Sequence, residues 1–403
     1  MAGATIDHLV SVIIFLAATL LFISFFNQTI QTAVIYQQHR AVATKCSDLL
    51  DTMLLTPNNA TIRTWTAFGL QDPEFTQYTL SPFSLMRLNS STGTPVYYEK
   101  TGMTYSNTTV GLGNFLFMPL SDVVNYSSAL RVLGINSTYG FQLTLTPVVT
   151  FNITEVEVQH SPLSLSISVS GVGFPFANAP VNYRLMPISL NGTYPNYLTI
   201  PNQTGTVYTD AAGSVLVPFQ NFTPNENLTY AFVAYAHVGG LTGVGFYAPP
   251  SGNQRVVPFV DSLLTQKVIL AHSYDVPNTS VGLPDNLAYN ATFVFLNEDF
   301  NFQEMPLANS TGNVTSSAGY PFGAITIPSY NPGILVIAYG NGATGGVVMM
   351  PWGLGSLAFP VTFGGNPAEQ EWAATDMRQV LINGVAYQAK LSLWSYKGVQ
   401  VIG

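Results

Sequence analysis

The chain is short of charge. Asp, Glu, Lys and Arg together make up only 8% of its 403 residues, about a third of the share usual in soluble domains. Water must therefore meet Asn, Ser, Thr, Gln and Tyr over most of the surface. Basic residues are scarcest, 12 against 20 acidic, for a net charge of −8; that balance excludes a phosphate backbone, and hence nucleic acid, as partner. Cysteine is all but missing. With Cys46 alone, no intrachain disulfide can form, and the residue reads as a small apolar group buried on a helix face.

The spacings that carry chemistry are missing as well. The five histidines (His8, His39, His160, His237 and His272) never recur at H-x-x-x-H spacing or beside a cysteine, so a zinc site has no support. There is no G-x-S-x-G nucleophile turn. "YGNGATGG" (339–346) lacks the lysine and the following helix of a phosphate loop and reads as a hairpin. The densest acidic cluster, Glu298, Asp299 and Glu304 in "NEDFNFQE", lacks the spacing and glycine of an EF-hand and reads as a solvated loop. His237, on an expected strand beside glycines, reads as structural. No enzyme activity and no cofactor are expected.

One long apolar run is present. Leu9 to Phe26 carries no charge and is broken only by Ser11, Thr19 and Ser24, just enough to cross a bilayer core. Leu9, Val12, Ile13, Phe15, Leu16, Leu20, Leu21, Phe22, Phe25 and Phe26 form the expected membrane span. A cleaved secretory signal would show basic residues before the run and a small-residue site after it. Neither is present, so the segment is read as retained. Past Phe26 the pattern continues without Gly or Pro. Ile35, Val42, Cys46, Leu49, Leu50 and Met53 recur at three- and four-residue steps, a stripe down one helix face with His39 inside it. A single helix over Asp7–Leu55 would be about 70 Å long, of which less than half fits a membrane. The remaining stripe requires a partner: the chain's own ectodomain, or the same helix of other copies.

Orientation is decided by glycosylation signals. Arg40 and Lys45 after the span weakly favour a cytoplasmic C-terminal side. Against them stand fifteen Asn-x-Ser/Thr acceptors: Asn27, Asn59, Asn89, Asn107, Asn125, Asn136, Asn152, Asn191, Asn202, Asn221, Asn227, Asn278, Asn290, Asn309 and Asn313. Composition alone predicts roughly five. The bulk of the chain is therefore expected outside the cell, carrying N-linked glycans on a single-pass anchor.

The expected fold is mainly β with one long N-terminal transmembrane and amphipathic helix. Residues 1–56 form the helix, which Pro57 ends. Residues 57–150 read as a small membrane-proximal α+β unit, with a short segment near Ser81–Leu88, a helix capped by Ser121 and stopped at Gly134, and a strand through Phe141, Leu143 and Leu145. Residues 151–250 read as a β-sandwich, with short alternating runs between Gly, Pro, Asn and Asp clusters. Residues 251–403 read as a second β-rich block ending in a hairpin turned by Asn383-Gly384. Whether this block stands alone or re-pairs with the α+β unit is left open by the sequence.

Two resemblances add to this reading. "GFPFANAPVNY", "GTVYTDAAGSVLVPF" and "YAFVAYA" resemble immunoglobulin-like modules of the carboxypeptidase-regulatory kind, which implies that Asp210 and Gly213 are turn residues rather than ligands. "LVSVIIFLAATLLFI", "LLTP", Trp65, "FGLQDP", "YTLSPFSLMRL" and "LRVLGINSTYGFQLTLTP" resemble archaeal type IV pilin-like surface proteins with a class III signal. That resemblance implies processing after Gly3, membrane insertion and self-association through the N-terminal helix. The expected function is a membrane-anchored, glycosylated structural or adhesion protein, extending to a pilin-like filament subunit. The alternative is a tethered ligand-binding ectodomain, such as a transporter-associated substrate-capture protein, with Trp352, Trp372 and Tyr247 lining its site.

Overall fold

The structure, a computed structural model, describes residues 2–57, 68–74, 77–88, 94–110, 113–115, 118–136, 138–156, 162–197, 204–249, 255–272, 287–296, 302–305, 307–315, 322–327, 331–341, 345–353, 355 and 358–396. Trp65, His160, Asn59, Asn89, Asn202, Asn278, Glu298 and Asp299 lie outside these residues.

It is mainly β, with one long helix at the N-terminus. That helix, Ala2–Leu55, is unbroken. Its hydroxyls do not interrupt it, because the Oγ1 atoms of Thr19, Thr29 and Thr32 each donate to the carbonyl four residues back at 2.8 Å. This hides the polar group within the helix itself. It is the one helix among the described residues long and apolar enough to cross a membrane.

The helix leads into a five-stranded stem sheet. Its strands run in the order Thr79–Leu80, Ala374–Ile382, Val385–Ser395, Tyr139–Pro147, Val361–Gly364. All neighbours are antiparallel except the first pair. The chain therefore returns on itself: strands from residues 361–395 complete a sheet whose earlier strands are Thr79–Leu80 and Tyr139–Pro147. The hairpin Ala374–Ser395 turns at Asn383 and Gly384, both at positive φ (50° and 74°), as an Asn-Gly turn between strands requires. Two short helices of this region are described: Pro82–Met86, capped by Ser81, and Tyr126–Val132, whose cap is Asn125, with its Oδ1 accepting from the Ser127 N–H at 2.9 Å. The cap expected at Ser121 is thus displaced by four residues. Serine and asparagine cap about equally well, and the burial of Ala129 and Leu130 sets the start at Tyr126.

Above the stem, residues 150–247 form a sandwich. One sheet orders Ser214–Phe219, Leu163–Gly171 and Thr150–Glu155; the other orders Asn196–Tyr197, Pro180–Ser189, Leu228–Val238 and Leu241–Tyr247, with Thr204–Tyr208 also on Pro180–Ser189. "LSLSISVSG" explains the first sheet, since Leu163, Leu165, Ile167 and Val169 face the core and the serines face out. "YAFVAYA" is apolar throughout, and the structure gives the reason. Tyr230, Phe232, Ala234 and Ala236 fill the sandwich core, while Ala231, Val233 and Tyr235 enter a second core on the opposite face. A strand buried on both faces loses its alternation. That second core runs without a break from the lower helix through the stem sheet to the sheet of Leu287–Leu296, Gly333–Gly340 and Gly345–Trp352. Strands Gly333–Gly340 and Gly345–Trp352 pair across the glycine-rich "YGNGATGG", as a hairpin would. Asp210, read as a turn residue, accepts from the N–H groups of Ala212 and Ser214 at 2.9 Å each, and the Gly213 N–H closes the turn on the Asp210 carbonyl at 3.0 Å.

Candidate functional site at the helix–sheet junction

The long helix changes environment along its length. From Ile6 to Phe26 every large apolar side chain is exposed. Phe15, Phe22 and Leu20 show 70%, 71% and 67% of their surfaces. No soluble helix keeps such a face in water, which makes this segment a lipid or protein contact. From Val42 onward the pattern inverts. Val42, Cys46, Leu49, Leu50, Met53 and Leu54 are all buried, and Ile35 is half-buried. The stripe expected from sequence spacing is thus spent on the chain's own stem sheet. At about 2 kcal/mol per buried side chain, these six hold the helix with on the order of 10 kcal/mol of gross burial energy.

The sheet meets the stripe with the inward face of its hairpin. Val380, Ile382, Tyr387, Ala389, Leu391 and Leu393 are buried there. The Cys46 thiol lies 3.5 Å from the Leu391 carbonyl and 3.7 Å from that of Ala374. Burial, with a smaller push from the Asp376 charge, raises the thiol to about 11. It is a packed hydrophobe with a weak donor, not a nucleophile.

A polar clamp closes the junction. The Arg378 guanidinium donates through Nε to Asp51 Oδ1 (3.0 Å) and through Nη2 to Asp51 Oδ2 (3.3 Å). Nη2 also reaches Ser47 Oγ (3.0 Å), and Nη1 reaches Asp376 Oδ1 (2.8 Å). This forked geometry is what arginine offers and lysine does not. Its hydrogen bonds to Asp51 and Asp376 raise the Arg378 pKa further. Burial alone would raise the Asp376 carboxyl; hydrogen bonds from Ser47, the Met377 N–H and Arg378 outweigh it and hold the group below its ordinary 3.8. One turn pair lower, the His39 ring stacks on Trp372 with centroids 4.0 Å apart and planes within 7°.

Arg378 was not singled out by sequence reasoning, and Trp372 was considered only as a wall of a ligand site, not as the stacking partner of His39. The signal for Arg378 is legible afterwards: in "ATDMRQVLI" the alternation that turns Val380 and Ile382 inward turns Asp376 and Arg378 inward as well. A charge on an inward face calls for a partner on the opposite element, and Asp51 on the helix stripe side supplies it. Trp372 precedes the strand and carries no periodic signal.

The other residues considered for function separate. Trp352 is fully buried, Tyr247 packs beside Tyr230 at the sandwich core, and Trp372 lies under the helix, so these three aromatics do not share a site. His237 Nδ1 lies 2.9 Å from Thr242 Oγ1 across its own hairpin, a structural contact. Glu304, expected in a solvated loop, instead pairs with Arg184, because strand Phe302–Met305 brings it against the sandwich. No group of three or more His, Cys, Asp or Glu side chains among the described residues is arranged to hold a metal ion. Of the ten acceptor asparagines after the helix that are described, Asn125, Asn136, Asn152, Asn191, Asn221, Asn227, Asn309 and Asn313 are exposed, Asn107 and Asn290 are half-buried, and none is buried.

No protein-family model matches this chain, and no curated protein sequence matches it.

Proposed function

We propose that this chain is a membrane-anchored, N-glycosylated cell-surface protein with a structural or adhesive role, built on the plan of a pilin-like subunit. The carrying observation is the division of one continuous helix. Its first part exposes apolar side chains from Ile6 to Phe26, and its last part, Val42–Leu54, is sunk into the stem sheet. A helix shared in this way couples a lipid-suited segment rigidly to the β body. Accessible acceptor asparagines on the stem, on both sheets of the sandwich and on the outer block support an extracellular body. The pilin-like reading rests further on the sequence resemblance in the first third of the chain.

Negative-stain microscopy of shed surface material, labelled with an antibody to residues 151–403, tests the filament part. Labelled filaments are expected. Unlabelled filaments only, together with a monomer extracted by detergent, would remove the pilin-like part and leave a tethered ectodomain.

A further inference from the structure

We infer that the cleft between the outer face of the sandwich and strand Phe302–Met305 is a binding site for a neutral saccharide. The cleft has a volume of about 280 Å³ and is open to solvent on one side, enough for one or two sugar rings rather than a longer polymer. It lies where two β bodies meet, a common position for ligand sites. Nothing in the anchoring role requires it.

The chemistry of its walls selects the ligand class. Its floor is the outward face of paired strands, where Asn182 stands opposite Thr206 and Arg184 opposite Thr204. Thr206 Oγ1 donates to Asn182 Oδ1 at 2.5 Å. That bond fixes the amide so that its Nδ2 donors point away from the acceptor already used, and Nδ2 makes no hydrogen bond among the described residues. The Thr204 hydroxyl is likewise exposed. On the opposite wall Phe302 stands edge-on to Tyr235, ring centroids 5.3 Å apart, and remains half-buried. At the rim Glu304 neutralises Arg184. Gly205 leaves room on the opposite, core-facing side of the strand pair for Tyr183, whose hydroxyl a Cβ would meet at 2.6 Å.

Each feature argues by exclusion. The single cation is matched by a carboxylate, so an anionic ligand gains no net charge and must break the pair. Polar groups outnumber apolar ones on the walls, so a lipid tail or an apolar peptide side chain would strand them without partners. Fixed amide and hydroxyl groups beside an aromatic ring are what a neutral sugar requires, its hydroxyls taking the hydrogen bonds and its C–H face the ring. Two sources could supply such a ligand. One is an external saccharide. The other is the chain's own glycan, since Asn202-Gln203-Thr204 is an acceptor tripeptide whose third residue lines the cleft.

The test uses the full chain in lipid nanodiscs on an array of immobilised neutral oligosaccharides ending in glucose, mannose, galactose or N-acetylglucosamine, with sialylated and sulfated glycans beside them. Wild type, Asn202→Gln, Asn182→Ala and Phe302→Ala are compared, with thermal unfolding to confirm that each is folded. Retention of a neutral class by wild type, cut about tenfold by Asn182→Ala and by Phe302→Ala, is expected for an external ligand. Retention only after Asn202→Gln, abolished again by adding Asn182→Ala, identifies the chain's own glycan as the occupant. Should Phe302→Ala fail to fold, the half-exposed Asn182→Ala carries the comparison. Preference for the charged glycans, retention unchanged in both cleft variants, or no neutral glycan held by either wild type or Asn202→Gln overturns the proposal.

Discussion

Leu50→Ala separates a helix seated on its sheet from one that merely passes beside it. Leu50 is fully buried, flanked on the same stripe by Cys46, Leu49, Met53 and Leu54. Truncating a leucine in such a site costs about 2–5 kcal/mol, because transfer energy is lost and the cavity only partly collapses. Taking about 3 kcal/mol, and given on the order of 10 kcal/mol of gross burial along the stripe, the junction survives but opens about 100-fold more often. Hydrogen exchange of the full chain in nanodiscs reads this directly. Protection of the amides of residues 46–54 should fall about 100-fold, and that of the facing strand Ala374–Ile382 should fall with it, since both elements lose the same partner. The control is Leu20→Ala, whose side chain is 67% exposed and touches no part of the body; it should leave both segments unchanged. Protection within threefold of wild type in Leu50→Ala, or an equal loss in Leu20→Ala, would refute the seating of the helix.

Other consequences are independent of that result. Arg378→Met removes the clamp but leaves Asp51 and Asp376 partly hydrated, with 38% and 28% of their side chains exposed. The loss should therefore be about 1–2 kcal/mol, measured by denaturant unfolding, and smaller but still measurable when Asp51→Asn is already present, because the bonds to Asp376 and Ser47 remain. Asp376 has its folded-state pKa lowered, so its contribution is fully present above the unfolded value near 3.8 and is lost as pH falls below it through the folded value. Stability should accordingly be flat from neutral pH to about 4 and decline beneath; a decline that is the same in Asp376→Asn would contradict this. The Cys46 thiol, pushed up to about 11, should resist maleimide labelling in the folded chain at pH 7 and react only after unfolding. Gly384→Ala places a side chain at φ 74° in the hairpin turn and should cost more than about 1 kcal/mol, while sparing the sandwich.

Much of the fold was legible because it rests on period. The membrane run, the stripe of Val42, Cys46, Leu49, Leu50 and Met53, the alternating "LSLSISVSG" strand and the Asn383-Gly384 turn each follow from local spacing, and the structure has the first as an exposed apolar helix, the next two as buried faces and the last as a turn. What local spacing does not encode is partner choice over long separations. Nothing in "FQLTLTP" says that Leu143 pairs with Leu391, and nothing in the helix says which sheet its stripe meets. The Ser121 cap failed for a related reason: Asn125 is an equally good local signal, and only the burial of Ala129 and Leu130 decides the start. For the junction itself, Cys46 was legible as a buried small residue, whereas Arg378 required knowing that two carboxylates from distant segments converge. The saccharide cleft was not legible at all, because Asn182 in "GFPFANAPVNY" and Phe302 in "NEDFNFQE" come from separate bodies, and nothing in either stretch says that they face one another.

On the proposed function, the β body stands outside the cell on a helix held in the membrane. Glycopeptide mapping of the protein purified from its native membrane is the decisive test. Glycan mass additions are expected on peptides carrying the exposed acceptors Asn125, Asn136, Asn221, Asn227, Asn309 and Asn313. Unmodified asparagine at all six, with residues 151–403 protected from protease added to intact cells, would contradict it.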